Sequence, residues 1–188
     1  MRPAVFLDRD DTLIRNADLD WSLMPGVTRG DLARPDLVDL LPGAYDACRD
    51  LRHAGFTLII VTNQGGVARG HYGLPQVDAT NIRLEQMLND HGSPLISACY
   101  SCPYHPNGAV PGFTKEHPWR KPNPGMILAA AEDHDLDLSV SWIIGDKQRD
   151  LDAGINAGLA PERCLLVADG AYPSLFEASR TILGTLGG

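Results

Sequence analysis

The sequence predicts an α/β fold, in which a doubly wound, mostly parallel sheet carries helices on both faces. Two observations support this prediction. Short apolar runs, several of them rich in β-branched residues, alternate along the 188 residues with longer amphipathic stretches. The apolar runs are nearly continuous, which is typical of strands that are buried on both faces. Strands and helices that alternate in this way form a parallel sheet with right-handed crossovers.

Five strands and five helices are predicted in alternating order. The first apolar run ends in an acid, and the second follows His53-Ala54-Gly55, a pattern typical of a helix end. The predicted strands cover residues 3–8, 56–62, 94–101, 140–145 and 164–168. The predicted helices lie near residues 42–54, 74–91, 123–134, 147–157 and 173–184. Pro42 and Pro124 fall near helix starts, where a missing N–H costs little.

Two segments are too long for ordinary connections between elements, residues 9–41 and 102–122. Loops of this length usually act as lids or as binding loops. The length of the chain fits one domain. We therefore expect a single domain over residues 1–188, whose two long loops cover the active site.

The composition excludes several classes of function. With 16 basic and 24 acidic residues the net charge is −8, which argues against a nucleic-acid-binding protein. No apolar run approaches the length of about 18 residues that a membrane span needs. The start of the chain lacks the pattern of a signal peptide, so we expect a cytoplasmic protein whose four cysteines are reduced. We also expect the protein to be a monomer.

Residues that carry chemistry cluster where the predicted strands end. Asp8 ends the first predicted strand and Asp10 lies two residues further on, while Thr62 ends the second strand and Asp146 follows the fourth. Lys121 lies just before the helix predicted near residues 123–134. The carboxyl ends of parallel strands meet at one edge of a sheet, where ligands bind. Each motif alone is a weak signal, but their common location predicts one site.

The residue types at this edge indicate phosphoryl transfer. Asp8, Asp10 and Asp146 would repel one another unless a cation lies between them, and hard oxygen ligands suit Mg²⁺. Asp8 can act as a nucleophile, while Asp10 can protonate a leaving oxygen and later activate water. Thr62 and Lys121 can contact phosphoryl oxygens, and this reaction depends mostly on positioning and charge neutralisation. The sequence therefore predicts a Mg²⁺-dependent hydrolase of a small phosphorylated metabolite.

Five motifs extend this interpretation from a site to a family. They are Asp8-Arg-Asp-x-Thr-Leu, Val61-Thr-Asn-Gln64, Ala68-Arg-Gly70, Arg120-Lys-Pro-x-Pro-Gly125 and Ile144-Gly-Asp-Lys147. With these motifs in this order, the chain resembles the haloacid dehalogenase (HAD) superfamily. Within it, the chain is similar to the capless branch of phosphatases that act on heptose bisphosphate or on histidinol phosphate.

The resemblance implies a role for each matching residue. Asp8 matches the nucleophile and Asp10 the acid and base. Asp8, the Asp10 backbone carbonyl and Asp146 match the Mg²⁺ ligands, and Thr62 and Lys121 match the pair that stabilises the transferring phosphoryl group. Substrate contacts are implied for Asn63, Gln64, Gly65, Arg69, Arg120 and Lys147.

The loop before Lys121 departs from the family pattern. The family binds a structural zinc through Cys-x-His and a later Cys-x-Cys, but the matching positions here are Cys102, Tyr104, His117 and Trp119. Tyr and Trp are not ligands of structural zinc sites, so we do not expect this zinc. We expect packing of Tyr104, Phe113 and Trp119 to hold the loop instead.

A replacement zinc site from Cys99, Cys102, His105 and His117 is an alternative. Against it, residues three apart on a strand point to opposite faces. Within enzymes, heptose bisphosphate is the leading substrate and histidinol phosphate the alternative. A non-enzymatic alternative is a receiver-like phospho-acceptor domain, which also has an acidic pocket with a Thr and a Lys. Such a domain does not need a second acid such as Asp10. A binding-only relative would not need the catalytic residue types.

Overall fold

Seven strands and six helices make up this computed structural model, which describes residues 1–168 and 170–186. The strands are β1 (Ala4–Leu7), β2 (Thr57–Asn63), β3 (Asn89–Asp90), β4 (Ser93–Pro94), β5 (Ala98–Cys102), β6 (Trp142–Gly145) and β7 (Cys164–Leu166). The helices are α1 (Ala44–His53), α2 (Gly66–Arg69), α3 (Leu74–Met87), α4 (Gly125–Asp133), α5 (Gln148–Ala157) and α6 (Leu175–Gly184).

The central sheet confirms the predicted fold class. Its five strands follow the order β5-β2-β1-β6-β7, and every neighbouring pair is parallel. From β1 the chain first adds strands on one side, β2 and then β5, and later adds β6 and β7 on the other side. The order therefore reverses between β1 and β6, which is where sheets of this kind bind their ligands.

Helices cover both faces of the sheet. Successive residues of each strand point to opposite faces, so each strand packs against helices on both sides. Val5 and Leu7 of β1 pack in a cluster with α1 and α6, whereas Ala4 and Phe6 pack in a second cluster with α4 and α5. The residues of β1 have no exposed surface, as expected for a central strand that is covered twice.

The largest differences from the predicted boundaries lie between α3 and β5. The sequence predicts a helix over 74–91 and a strand from 94, but the helix ends at Met87 and β5 begins at Ala98. A tight hairpin of β3 and β4 lies between them, with positive φ at His91 and Gly92. The Asn89 side chain accepts a hydrogen bond from the Gly92 N–H at 2.7 Å. Such a local side-chain contact competes with helix continuation.

The two long segments are mostly loops. Residues 9–41 contain two short 3₁₀ turns, Trp21–Leu23 and Pro35–Leu37, and residues 103–122 connect β5 to the region of α4. The short helix α2, which begins three residues after the end of β2, is not among the predicted helices. Among the helices of the described residues, none has the length and apolar character needed to cross a membrane.

Candidate active site

Three buried carboxylates meet where the strand order reverses. Asp8 follows β1, Asp146 follows β6, and Asp150 lies in the first turn of α5. One oxygen atom of each lies within 4.8 Å of the others. Burial raises the pKa of Asp8 and of Asp146, since charged carboxylates are costly in a buried cluster. A divalent cation would favour their charged forms, and an all-oxygen donor set suits Mg²⁺.

Gly145 allows α5 to approach this edge of the sheet. A Cβ atom at residue 145 would lie 2.4 Å from the Cβ of Asp150, so a side chain there would displace the helix start. Asp150 also caps α5, because its Oδ2 accepts a hydrogen bond from the Lys147 N–H at 3.0 Å. The Gly-Asp-Lys motif therefore sets both the Asp146 and the Asp150 carboxylates in place.

Lys121 is buried against the same carboxylates. Its Nζ lies 2.5 Å from Asp8 Oδ1 and 2.7 Å from Asp150 Oδ1, and it donates to the Val61 carbonyl at 2.8 Å. Burial alone would lower the pKa of Lys121, but Asp8 and Asp150 raise it above its usual value. Its ammonium group is therefore held in the charged form beside the proposed nucleophile.

Asn63 ties the loop that carries Lys121 to the end of β2. Its side-chain oxygen accepts from the Lys121 backbone N–H at 3.0 Å, and its amide nitrogen donates to the Lys121 carbonyl at 3.1 Å. Residues that are 58 positions apart in sequence are thus joined by two hydrogen bonds. Asn63 also lines the cleft, so its position is compatible with the predicted substrate contact.

Asp10 is held by donors on two sides. The Arg9 guanidinium donates to both Asp10 carboxylate oxygens at 3.0 Å, and the Gln64 amide donates to Oδ2 at 3.0 Å. The same Gln64 amide donates to Thr62 Oγ1 at 2.9 Å, and Tyr72 donates its hydroxyl to Gln64 Oε1 at 3.2 Å. Burial raises the pKa of Asp10, while Arg9 and Gln64 oppose that shift.

A cleft of about 340 Å³ opens above these groups. The long loop after β1 contributes one wall, and basic side chains from other segments complete it. The lining residues of the loop are Asp10, Asp11, Asn16, Thr28, Arg29, Gly30 and Asp31; the basic ones beyond it are Arg69, His105, Arg120, Lys147 and Arg149. Positive charge around a carboxylate floor suits an anionic substrate whose phosphate approaches a cation.

The residues predicted to contact substrate differ in their surroundings. Gly65, Arg69, Arg120 and Lys147 line the cleft, whereas Gln64 is only 2% exposed and its amide is used by Asp10 and Thr62. Arg69 forms a two-bond ion pair with Asp31, at 2.8 and 2.5 Å. Lys147 lies 2.7 Å from Asp146. Arg120 donates to the Tyr104 carbonyl at 3.1 Å.

Aromatic side chains pack against one another in the loop before Lys121. Tyr104 stacks on His117 with ring centroids 4.0 Å apart, and Phe113 packs on Tyr104 at 5.7 Å. Trp119 meets His117 edge to face at 6.3 Å. His117 therefore faces a tyrosine ring, and its pKa is lowered by burial and by the neighbouring Lys115.

The two cysteines of β5 point to opposite faces of the sheet. Cys102 packs among the residues of the α4 and α5 side, whereas Cys99 packs against the α1 and α6 side. This confirms the expectation that residues three apart on this strand point to opposite faces of the sheet.

Sequence reasoning missed three residues that support the site, namely Arg9, Asp31 and Asn81. Arg9 has no exposed surface, and Asp31 and Asn81 are each 8% exposed. Asn81 left a signal, because it lies four residues after Val77 and three before Leu84, which is a core-facing position of α3. A polar residue at such a position usually has a buried partner.

Comparisons with known proteins identify relatives that match most of the chain. A family model described as HAD-hydrolase-like matches residues 118–179. A D-glycero-D-manno-heptose-1,7-bisphosphate 7-phosphatase of Thermosynechococcus vestitus is 40% identical over 163 residues, covering 84% of this chain and 76% of the relative. The D-glycero-β-D-manno-heptose-1,7-bisphosphate 7-phosphatase of Escherichia coli is 32% identical over 184 residues. This match covers 98% of this chain and 90% of the E. coli protein.

A solved structure agrees with these relatives. The D,D-heptose 1,7-bisphosphate phosphatase of B. bronchiseptica, crystallised with magnesium and phosphate, superposes with a TM-score of 0.76 at 27% identity, covering 97% of this chain and 99% of its own. Relatives that match over most of their length favour an enzyme over a phospho-acceptor or binding-only domain. Together with the motifs gathered at one cleft, they show that the chain belongs to the HAD-like phosphatases.

Proposed function

We propose that this phosphatase depends on Mg²⁺ and removes the 7-phosphate of D-glycero-D-manno-heptose 1,7-bisphosphate or a close sugar phosphate. The observation that carries the proposal is the buried cluster of Asp8, Asp146 and Asp150 oxygens beside Lys121, at the floor of a cleft lined by arginines. The named relatives support the choice of sugar.

The chain's own side chains have distinct parts in the proposed reaction. Asp8 attacks phosphorus and forms an aspartyl phosphate, and Asp10 gives its proton to the leaving oxygen and then takes one from the attacking water. Thr62 and the Lys121 ammonium contact the phosphoryl oxygens, where negative charge must be neutralised. Asp8, the Asp10 backbone carbonyl and Asp146 would hold Mg²⁺, which when bound supplies further neutralisation of that charge.

Asp150 has a supporting part in this proposal. Both of its carboxylate oxygens have protein partners, Lys121 at 2.7 Å and the Lys147 N–H at 3.0 Å. We therefore assign it to the placement of Lys121 rather than to direct ligation. The loops 9–41 and 102–122 would cover the bound substrate, with Arg29 and Arg120 as cleft-lining cations from each.

The experiment that tests the function compares substrates. We expect phosphate release to be fastest with heptose bisphosphate, to be slower with histidinol phosphate and common sugar phosphates, and to stop when EDTA removes divalent ions. Steady-state kcat/KM values measured with and without added Mg²⁺ provide the check. A higher kcat/KM for histidinol phosphate would overturn the proposed substrate, and activity that persists in EDTA would overturn the metal dependence.

Asp10→Asn tests the proposed acid and base. We expect turnover of an alkyl phosphate to fall by roughly 10²–10⁴, the usual contribution of general acid–base catalysis. The amide keeps the size of the side chain, so the fold should persist, although Arg9 loses a charged partner. Steady-state turnover of the variant, measured beside its thermal unfolding, checks this. Turnover at the wild-type rate would remove Asp10 from the mechanism.

A further inference from the structure

A fully buried arginine, Arg9, stands between Asp8 and Asp10 in the sequence. Arg9 has no exposed surface, and each nitrogen of its guanidinium has a partner. Nε and Nη2 donate to Asp10 at 3.2 and 3.0 Å, and Nη2 also donates to the Leu32 carbonyl at 2.7 Å. Nη1 points to a different element and donates to Asn81 Oδ1 at 3.0 Å.

Asn81 is fixed in turn by the sheet. It lies on α3, 72 residues after Arg9, and its Nδ2 donates to Ser101 Oγ of β5 at 3.1 Å. A buried amide costs free energy unless its hydrogen-bonding groups have partners. Both ends of this amide have one, so Asn81 bridges the guanidinium to β5 in a defined orientation.

The geometry of the guanidinium explains why this contact matters for Asp10. Its donors lie in one plane at fixed angles, so the two-bond contact with a carboxylate also sets the orientation of that carboxylate. Asn81 and the Leu32 carbonyl hold the plane from outside the Asp10 contact. Without Asn81, Nη1 would be buried without this acceptor, and the guanidinium would turn to find another.

We propose that Asn81 is a positioning residue that acts through Arg9 to orient the Asp10 carboxyl group toward the leaving oxygen. The inference rests on the proposed role of Asp10. In that step the bond from phosphorus to the leaving oxygen breaks while the Asp8 oxygen–phosphorus bond forms, and the Asp10 proton moves to the leaving oxygen. A small displacement of a reacting group is enough to reduce such a transfer by about 100-fold.

The test compares two leaving groups, because only one needs a proton. An alkyl phosphate such as glycerol 2-phosphate releases a basic alkoxide unless it is protonated, whereas p-nitrophenyl phosphate releases a stable phenolate. We expect Asn81→Leu to lower kcat/KM for glycerol 2-phosphate by about 10–100-fold. The kcat/KM for p-nitrophenyl phosphate should change much less.

Two variants of α3 serve as comparisons. Thr80→Val alters a fully buried neighbour of similar size whose hydroxyl donates to Gln76 O at 2.8 Å, so the ratio of the two kcat/KM values should stay at the wild-type level. Asn81→Asp keeps an acceptor for Arg9 and should restore much of the ratio. If Asn81→Leu does not fold, Ser101→Ala removes the acceptor of the Asn81 amide and should shift the ratio in the same direction.

The outcomes separate this inference from the proposed function. Equal losses for both substrates in Asn81→Leu would show a general structural effect and would overturn the inference, as would an unchanged ratio. Asp10→Asn is measured with the same pair. If it shows no selective loss with glycerol 2-phosphate, the proposed acid itself is wrong, and the positioning role is overturned with it.

Discussion

Asp8→Asn is expected to abolish Mg²⁺-dependent phosphate release. An amide is a poor nucleophile and a poor ligand for a hard cation, so the variant loses both proposed parts of Asp8. The fold should persist, because asparagine has the same shape and Lys121 keeps its contact with Asp150 at 2.7 Å. Removing one of three clustered carboxylates also relieves repulsion, so thermal unfolding should not occur at a lower temperature. Phosphate release, transfer of labelled phosphate to the protein, and thermal unfolding are the measurements.

The matched control for this substitution is Asp11→Asn. Asp11 has a positive φ of 60°, a conformation that asparagine tolerates well, and its Oδ1 accepts from the Asn16 and Ala17 N–H groups. An asparagine oxygen can accept the same bonds. The control should therefore lose far less activity than Asp8→Asn. Substantial turnover by Asp8→Asn, or labelled phosphate on that variant, would mean that another group is the nucleophile.

Lys121→Met is expected to reduce both stability and activity. The substitution keeps an unbranched chain but leaves the Asp8 and Asp150 carboxylates buried without their shared cation. Removing one partner of a buried ion pair typically costs about 3–5 kcal/mol of unfolding free energy. Activity should fall as well, because the ammonium group no longer neutralises the phosphoryl oxygens. Denaturant unfolding gives the free-energy change, and kcat of the folded fraction gives the catalytic one.

Lys115→Met is the comparison for a lysine outside the cluster. Lys115 is exposed, and its ammonium lies 4.7 Å from the centre of the Tyr104 ring. An exposed contact of this kind contributes about 0.5–1 kcal/mol, so the control should be nearly as stable as the wild type. Equal destabilisation by the two substitutions would contradict the importance of the buried ion pair. Addition of Mg²⁺ should recover part of the stability of Lys121→Met, because a cation can bind the remaining carboxylates.

The sequence alone determined the fold class and the edge of the sheet where the site lies. Apolar runs mark buried strands, and the chemistry-bearing residues follow those runs directly, as Asp8 follows β1 and Asp146 follows β6. This information is local, since a parallel strand places the next residue at the same edge wherever the strand lies in the sheet. The expected packing of aromatic side chains around Tyr104 also followed from residue identity alone, and Tyr104 does pack with Phe113 and His117.

Tertiary structure decided which side chains support those at the strand ends. The sequence does not show that Lys121 contacts Asp150 as well as Asp8, or that Arg9 reaches Asn81 across 72 residues. The end of α3 also depended on a local hairpin that helix periodicity does not reveal. These features follow from the packing of α3, α5 and the loops against the sheet. Contacts between residues that are far apart in sequence are set by how the elements pack, and this packing has no local pattern along the chain.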